Sequence, residues 1–292
     1  MKIKTVVTHN GNFHADDVFS IAALKCLFTN LSLIRTRDLS VIRKADIVVD
    51  VGGEYTAETD RFDHHQRGGA GQRDNGVPYS SFGLIWKKYG LELCNNNQVL
   101  AEMVDGDLVS SIDAIDCGYV DGIYEGVSLS RTISMFNPTW SESSDFDKYF
   151  DEAVIFASKI LSRCIQQAES QLLAKDIVVN AISKAENPAL IVLKHYAPWK
   201  QAVHELAKDA LFILYPSATG QWQIQTIPVV PGSFDDRKAL PKTWAGLSDD
   251  ALQKVTGVND AMFCHNGLFI AGAKSFEGAM KMAEIALNNV CD

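Results

Sequence analysis

No run of apolar residues in this chain approaches the ~20 needed to span a bilayer, so a membrane-spanning helix is not expected. The chain also lacks any CxxC pair. Its six cysteines (Cys26, Cys94, Cys117, Cys164, Cys264 and Cys291) are scattered, a pattern of reduced thiols in a cytoplasmic-type protein. Positive charge is in deficit: 27 Lys+Arg stand against 36 Asp+Glu, for a net charge of −9. That balance argues against a protein that coats duplex nucleic acid by neutralising phosphates. It leaves room for an enzyme that draws one nucleic-acid end into a locally positive pocket. There is no internal repeat and no low-complexity tract. The first residues run straight into an apolar strand, so a cleaved signal peptide is not expected, and the expected compartment is the cytoplasm, with a nucleus or organelle left open. At 292 residues, 47% of them hydrophobic, the chain allows one large or two medium domains with a packed core.

What is present is an unusual concentration of imidazole and carboxylate. Arg61-Phe62-Asp63-His64-His65-Gln66 follows an apolar strand, 45–51, that carries Asp50 near its end. Thr8-His9-Asn10-Gly11-Asn12-Phe13-His14-Ala15-Asp16-Asp17 follows another. Four of the seven histidines therefore fall within the first 65 residues, each close to a carboxylate or a strand end. Core packing accounts for one such histidine but poorly for four. Mixed imidazole and carboxylate suits Mn, Zn or Fe, unlike an all-thiolate structural site.

Strands are expected at 3–8, 31–36 and 47–51, with helices at 14–30 and from 79, and a short helix or turn at 38–44. Such alternation argues for a parallel sheet faced by helices, with ligands outside the carboxyl ends of the strands. Residues 95–115 read as mainly helical. Asp113 and Asp116, three apart, share a helix face; one of them joins the site and the other is a solvated or supporting carboxylate. The stretch 129–140 reads as irregular, and 145–175 as a long linking helix. Beyond it, strands at 177–179, 189–193, 210–215, 222–227 and 267–271, a loop at 231–247, a short helix at 249–255 and a terminal helix from 275 suggest a smaller α+β domain. The expected divisions are 1–144, 145–175 and 176–292. Trp199, Trp222 and Trp244 fit core packing better than base stacking.

Together these segments resemble the DHH phosphoesterase superfamily, named for the triplet seen here as Asp63-His64-His65. More narrowly, the chain is similar to the melanocyte-proliferating-gene family of DHH-type exonucleases. The resemblance rests on the two histidine clusters, Val49-Asp50-Val51-Gly52-Gly53 and Ser80-Ser81-Phe82-Gly83-Leu84-Ile85-Trp86. It continues through Arg131 with Asn137-Pro138, Pro231-Gly232-Ser233-Phe234, Arg237 with Leu240-Pro241, and Cys264-His265-Asn266-Gly267-Leu268-Phe269. It implies an α/β fold and two divalent ions, Mn²⁺ or Mg²⁺, with a bridging water. By position, His9, His14 and Asp50 would hold one ion, and Asp16, Asp50, His64 and Asp113 the other. His14 stands five residues after His9, where many superfamily members have an aspartate at four; Asp17 is the alternative ligand, or else a helix-terminal carboxylate favoured by the dipole.

The same resemblance implies phosphodiester hydrolysis, with 3′→5′ removal of nucleotides from single-stranded RNA expected first. His65 would face the scissile phosphate or leaving group, and Asp63 would orient an imidazole. Arg131, Arg237, His265 and Lys274 are the candidate phosphate contacts. A small phosphate ester (pyrophosphate, a short oligonucleotide or a cyclic dinucleotide) is the rival substrate. A non-catalytic nucleotide- or metal-binding regulator is the rival class. No membrane partner is expected, and a homodimer stays open.

Overall fold

A computed structural model describes residues 3–119, 127–142, 145–233 and 235–289; Phe234 and Cys291, both named above, lie outside them. The chain forms two compact units, Met1–Glu169 and Ser170–Asp292, each built on its own five-stranded sheet. The fold class is α/β, with a parallel-strand sheet in the first unit and a mixed sheet in the second.

In the first unit, β1 (Lys4–Thr8), β2 (Leu31–Arg35), β3 (Ile47–Val49), β4 (Tyr55–Thr56) and β5 (Arg61–Phe62) lie in the order β2-β1-β3-β5-β4. All neighbours are parallel except β4, which returns antiparallel on β5. Alternate side chains of a strand point to opposite faces. Val7 and Val48 therefore pack on one face with Ile42, Ala45 and Val51, while Val6, Ile47 and Val49 are buried on the other. Helix α1 (Ala15–Leu27) lies along α3 (Ser81–Leu93). Between them in sequence is the short α2 (Leu39–Ile42), which Asp38 caps by accepting from the Ser40 N–H at 2.7 Å.

After α3 comes one interrupted helix. Its parts are α4 (Gln98–Val104), a π-helical turn (Asp105–Val109) and α5 (Ser110–Asp116). A π turn rotates everything beyond it relative to a regular helix, so it resets where the acids of α5 point. Residues 129–140, expected to be irregular, begin with a helix, α6 (Leu129–Ser134), because Ser128 accepts from the Arg131 N–H at 3.1 Å and so caps it.

Helix α7 (Phe146–Ser183) runs through the division between the units. Residues 177–179, expected as a strand from their β-branched run, belong to this helix. Ala174 and Val178, four apart and buried, pack with Ile191, Leu193 and Ile213 of the second sheet, and this packing overrides local propensity. That sheet has the order β6 (Leu190–Val192), β7 (Phe212–Pro216), β8 (Trp222–Thr226), β10 (Ile270–Ala273), β9 (Ala261–Cys264). Its other face carries Leu190, Phe212, Leu214 and Ile224 against α9 (Asp249–Thr256) and α10 (Phe276–Asn288). Strand β9 and helix α8 (Lys200–Leu206) were not expected from the sequence. Trp199 and Trp244 are core residues. No helix among the described residues is long and apolar enough to cross a membrane.

Candidate metal centre

The topology explains how residues 9, 50 and 64 come together. Strands β1, β3 and β5 are adjacent and parallel, so their carboxyl ends share one edge of the sheet. Each is followed directly by a ligand-type residue or run: His9, Asp50 and Asp63-His64-His65. Asp50 itself adopts φ +54°, a left-handed conformation that aspartate tolerates better than most residues. It turns the chain sharply at the strand end and aims the carboxylate inward, where it is 2% exposed.

Asp16 and Asp17 come from the first turn of α1 and are both fully buried. Asp17 Oδ1 accepts from the His14 N–H at 2.9 Å and the Val18 N–H at 2.8 Å, and so caps the helix. Its Oδ2 lies 3.2 Å from His9 Nε2. Asp16 Oδ2 accepts from Ser81 Oγ at 2.7 Å, leaving Oδ1 free.

The His9 ring donates from Nδ1 to the Asn10 carbonyl at 3.2 Å, which turns Nε2 toward Asp50 Oδ2, also at 3.2 Å. His64 Nε2 faces Asp50 Oδ1 and Asp116 Oδ2, each at 3.3 Å, and Asp16 Oδ2 at 3.7 Å. Its Nδ1 lies 3.8 Å from Cys117 Sγ. The groupings able to surround a cation are His9 with His14 and Asp50, His14 with Asp16 and Asp116, Asp50 with His64 and His65, and His64 with Asp116 and Cys117.

Four of the converging atoms, Asp16 Oδ1, Asp17 Oδ2, Asp50 Oδ1 and His64 Nε2, are buried and make no hydrogen bond. Buried polar atoms are seldom left in that condition, and Asp16, Asp50 and His64 each belong to a grouping able to hold a cation. The electrostatics agree. Burial opposes charge on His9, yet Asp17 and Asp50 push its pKa up to about 10. Burial likewise opposes charge on His64, and Asp50, Cys117 and Asp16 push it up to about 11. Burial, and then the charges of Asp50, Asp116 and Asp17, raise Asp16 well above the carboxylate range. Burial would also raise Asp50, but His64 and His9 hold it far below that range. A field that holds protons so tightly also favours a divalent ion, whose binding releases them.

Asp113 requires a correction. It is fully buried, but its carboxylate is occupied elsewhere. Oδ1 accepts from Ser80 Oγ at 2.5 Å and the Gly83 N–H at 3.0 Å, and Oδ2 from Arg73 Nη1 at 2.7 Å. Arg73 is held in turn by Asp105, at 2.8 and 2.7 Å. Three residues of helix advance ~4.5 Å and turn ~300°, so Asp116 meets His64 while Asp113 meets the start of α3. Gly83 is what lets the carboxylate in, since a Cβ there would lie 1.9 Å from Asp113 Oδ2.

His65 is 63% exposed on its side chain. Its Nδ1 donates to Asp63 Oδ1 at 2.8 Å, and Asp63 Oδ2 accepts from the Gly53 N–H at 2.6 Å. Asp63 thus orients His65, leaving Nε2 as that ring's free nitrogen. Both line a cleft of about 580 Å³ together with His9, His14, Asp50 and Arg37. The loop between His9 and His14 is pinned from two sides. Arg35 donates to the Gly11 carbonyl at 2.7 Å while its guanidinium lies 4.3 Å from the Phe150 ring. Asn137 pairs with both backbone groups of Phe13, at 3.0 and 2.9 Å.

The four expected phosphate contacts are divided between the two units. Arg131 is exposed on α6 of the first unit. The other three lie in the second unit. Arg237 gives Nη1 to the carbonyls of Ala207, Lys208 and Ala210, at 2.7, 3.0 and 2.9 Å, and so closes the turn after α8. His265 Nδ1 accepts from the Gly267 N–H at 2.9 Å, and Lys274 is exposed after β10. Asp116 was named from the sequence with Asp113 as a pair of which one joins the site, with Asp113 assigned to the ion; Arg73, Arg35 and Arg37 were not singled out as site residues. Only Asp116 carried a signal, its shared helix face with Asp113.

The family model described as "MYG1_exonuc: Uncharacterised protein family (UPF0160)" matches residues 5–287. The mouse protein named MYG1 exonuclease is 33% identical over 319 residues, covering 96% of this chain and 84% of its own length. The human protein of the same name is 32% identical, covering 96% and 85%. The MYG1 protein of Dictyostelium discoideum is 31% identical, covering 97% and 96%.

Proposed function

The chain belongs to the MYG1 family, and on that premise we propose that it is a metal-dependent phosphodiester hydrolase of the DHH type, a 3′→5′ exonuclease on single-stranded RNA. The observation that carries this reading is the set of four buried atoms without hydrogen bonds among the histidines and aspartates gathered at one sheet edge. The exonuclease part leans on the names of the mouse and human relatives.

By this reading His9, His14 and Asp50 would hold one ion and Asp16, Asp50, His64 and Asp116 would hold a second. Mn²⁺ suits this mixture of imidazole and carboxylate. When bound, two such ions supply an activated water and offset charge on the phosphoryl oxygens. The protein's own residues do the rest. Asp16, Asp50 and Asp116 fix the cradle's charge, and the Asn10 carbonyl holds the His9 tautomer that presents Nε2. Asp63 holds Nδ1–H of His65, so Nε2 can carry a proton to the leaving oxygen as general acid. A cytoplasmic setting accords with the scattered thiols.

The test is incubation of the purified protein and Mn²⁺ with 5′-labelled single-stranded RNA, DNA and pyrophosphate. Stepwise shortening of the RNA, abolished by chelation, is expected. Release of phosphate from pyrophosphate with intact RNA would overturn the nuclease reading.

A further inference from the structure

We propose that Arg37, with the amides of Asn10 and Asn12 that line the same cleft, forms a second anion subsite, which holds the substrate phosphate next to the scissile one. This rests on the reading of the cleft as a phosphodiesterase site. Among the described residues lining that cleft, Arg37 is the one whose charge is permanently positive. It is exposed, and it makes no hydrogen bond or ion pair with any described residue. Three other arginines of the first unit are committed: Arg35 to Gly11 and Asp147, Arg61 to backbone carbonyls, Arg73 to Asp105 and Asp113.

The base of Arg37 is fixed although its tip is free. The preceding Thr36 N–H donates to the Thr8 carbonyl at 2.8 Å, at the end of β1. The following Asp38 N–H donates to Thr36 Oγ1 at 3.1 Å, and Asp38 caps α2. The Arg37 backbone is therefore anchored at the carboxyl edge of β2, beside the strand that His9 follows. Asn10 and Asn12 line the same cleft with side-chain amides that hydrogen-bond to no described residue. A planar guanidinium that shares a cleft with amide donors suits the oxygens of a phosphodiester. The cradle is built of carboxylates and imidazoles, and Arg37, whose guanidinium has no lone pair to give a metal, lies outside it. Its counterion is thus a part of the substrate that does not reach the metals. A polynucleotide carries such a group, its next phosphate, and a mononucleotide ester does not.

The experiment compares wild type, Arg37→Gln and Arg37→Lys, with Mn²⁺ saturating, on a short oligonucleotide and on bis(p-nitrophenyl) phosphate. For Arg37→Gln, KM for the oligonucleotide should rise about tenfold to a hundredfold, the scale of one charge-assisted hydrogen bond, with kcat changed less than about threefold. The rise for the one-phosphate ester should be at least about fivefold smaller. The dependence of log KM on log salt should flatten by ~0.7, one single-strand phosphate contact. Arg37→Lys should recover that slope but only part of the affinity. An equal effect on both esters, or none on either, overturns the proposal. If wild type cleaves neither ester, the hydrolase reading itself fails. Fluorescence anisotropy of the labelled oligonucleotide then decides the subsite: equal Kd and equal salt slope in wild type and Arg37→Gln would overturn it.

Discussion

Asp113 and Asp116 are chemically identical, three residues apart, and differ in what depends on them. Replacing Asp113 by Ala removes the acceptor of three buried donors: Ser80 Oγ, the Gly83 N–H and Arg73 Nη1. A buried donor left without its partner costs about 1–3 kcal/mol. Arg73 keeps its two bonds to Asp105, so its share is at the low end, and the total comes to about 3–5 kcal/mol. With an m-value of ~2 kcal/mol per molar urea, the midpoint should fall by about 1.5–2.5 M. Asp113→Asn keeps an acceptor for Ser80 and Gly83. Burial already pushes Asp113 up to about 6 despite Ser80, Arg73 and Gly83, so the ionised form is not strongly favoured there, and this variant should lie within about 1 kcal/mol of wild type. The pH dependence has a definite sign. The folded pKa lies above the unfolded one, so folding takes up a proton between about pH 4 and 6. Wild type should therefore gain stability relative to Asp113→Asn as pH falls through that window. Asp116→Asn should be as stable as wild type in chelator but bind Mn²⁺ about 100-fold more weakly or worse. Urea unfolding in chelator, read by hydrogen exchange of the α3 amides, and Mn²⁺ calorimetry measure the two effects separately. Normal Mn²⁺ binding by Asp116→Asn, with loss in a folded Asp113→Asn, would refute this reasoning and return Asp113 to the metal.

Each Mn²⁺ site filled at 100 times its Kd should stabilise the protein by about 2.7 kcal/mol, or ~5–10 °C in Tm per site for a domain of this size; differential scanning calorimetry with and without chelator checks it. His14→Ala should weaken Mn²⁺ binding. Asp17→Asn should act mainly through the start of α1 and the position of His9, with a smaller effect on affinity; titration of both variants distinguishes ligand from cap. Asn137→Ala removes both backbone contacts to Phe13. It should lower stability by about 1–3 kcal/mol and Mn²⁺ affinity by about tenfold, whereas an unchanged affinity would show that the loop holds its shape without Asn137.

Local chemistry determined much of this protein. Apolar runs ending near His9 and Asp50 were legible, because strand ends in a parallel sheet are where ligands collect, and the Asp63-His64-His65 triplet was legible from its composition, although its strand β5 was not expected. The helical starts near residues 15 and 81 were legible from their periodicity. The tertiary structure decided three things that spacing could not. Residues 177–179 are helical because Val178 buries itself on the second sheet, a contact invisible to local propensity. Arg237, with a charge suited to phosphate, is consumed by three carbonyls 27 to 30 residues away in sequence. The division of roles between Asp113 and Asp116 depends on the π turn, on Arg73 from a distant loop and on the missing side chain of Gly83. Sequence alone placed two carboxylates on one face of a helix, and only packing could give one of them to an arginine and turn the other toward His64.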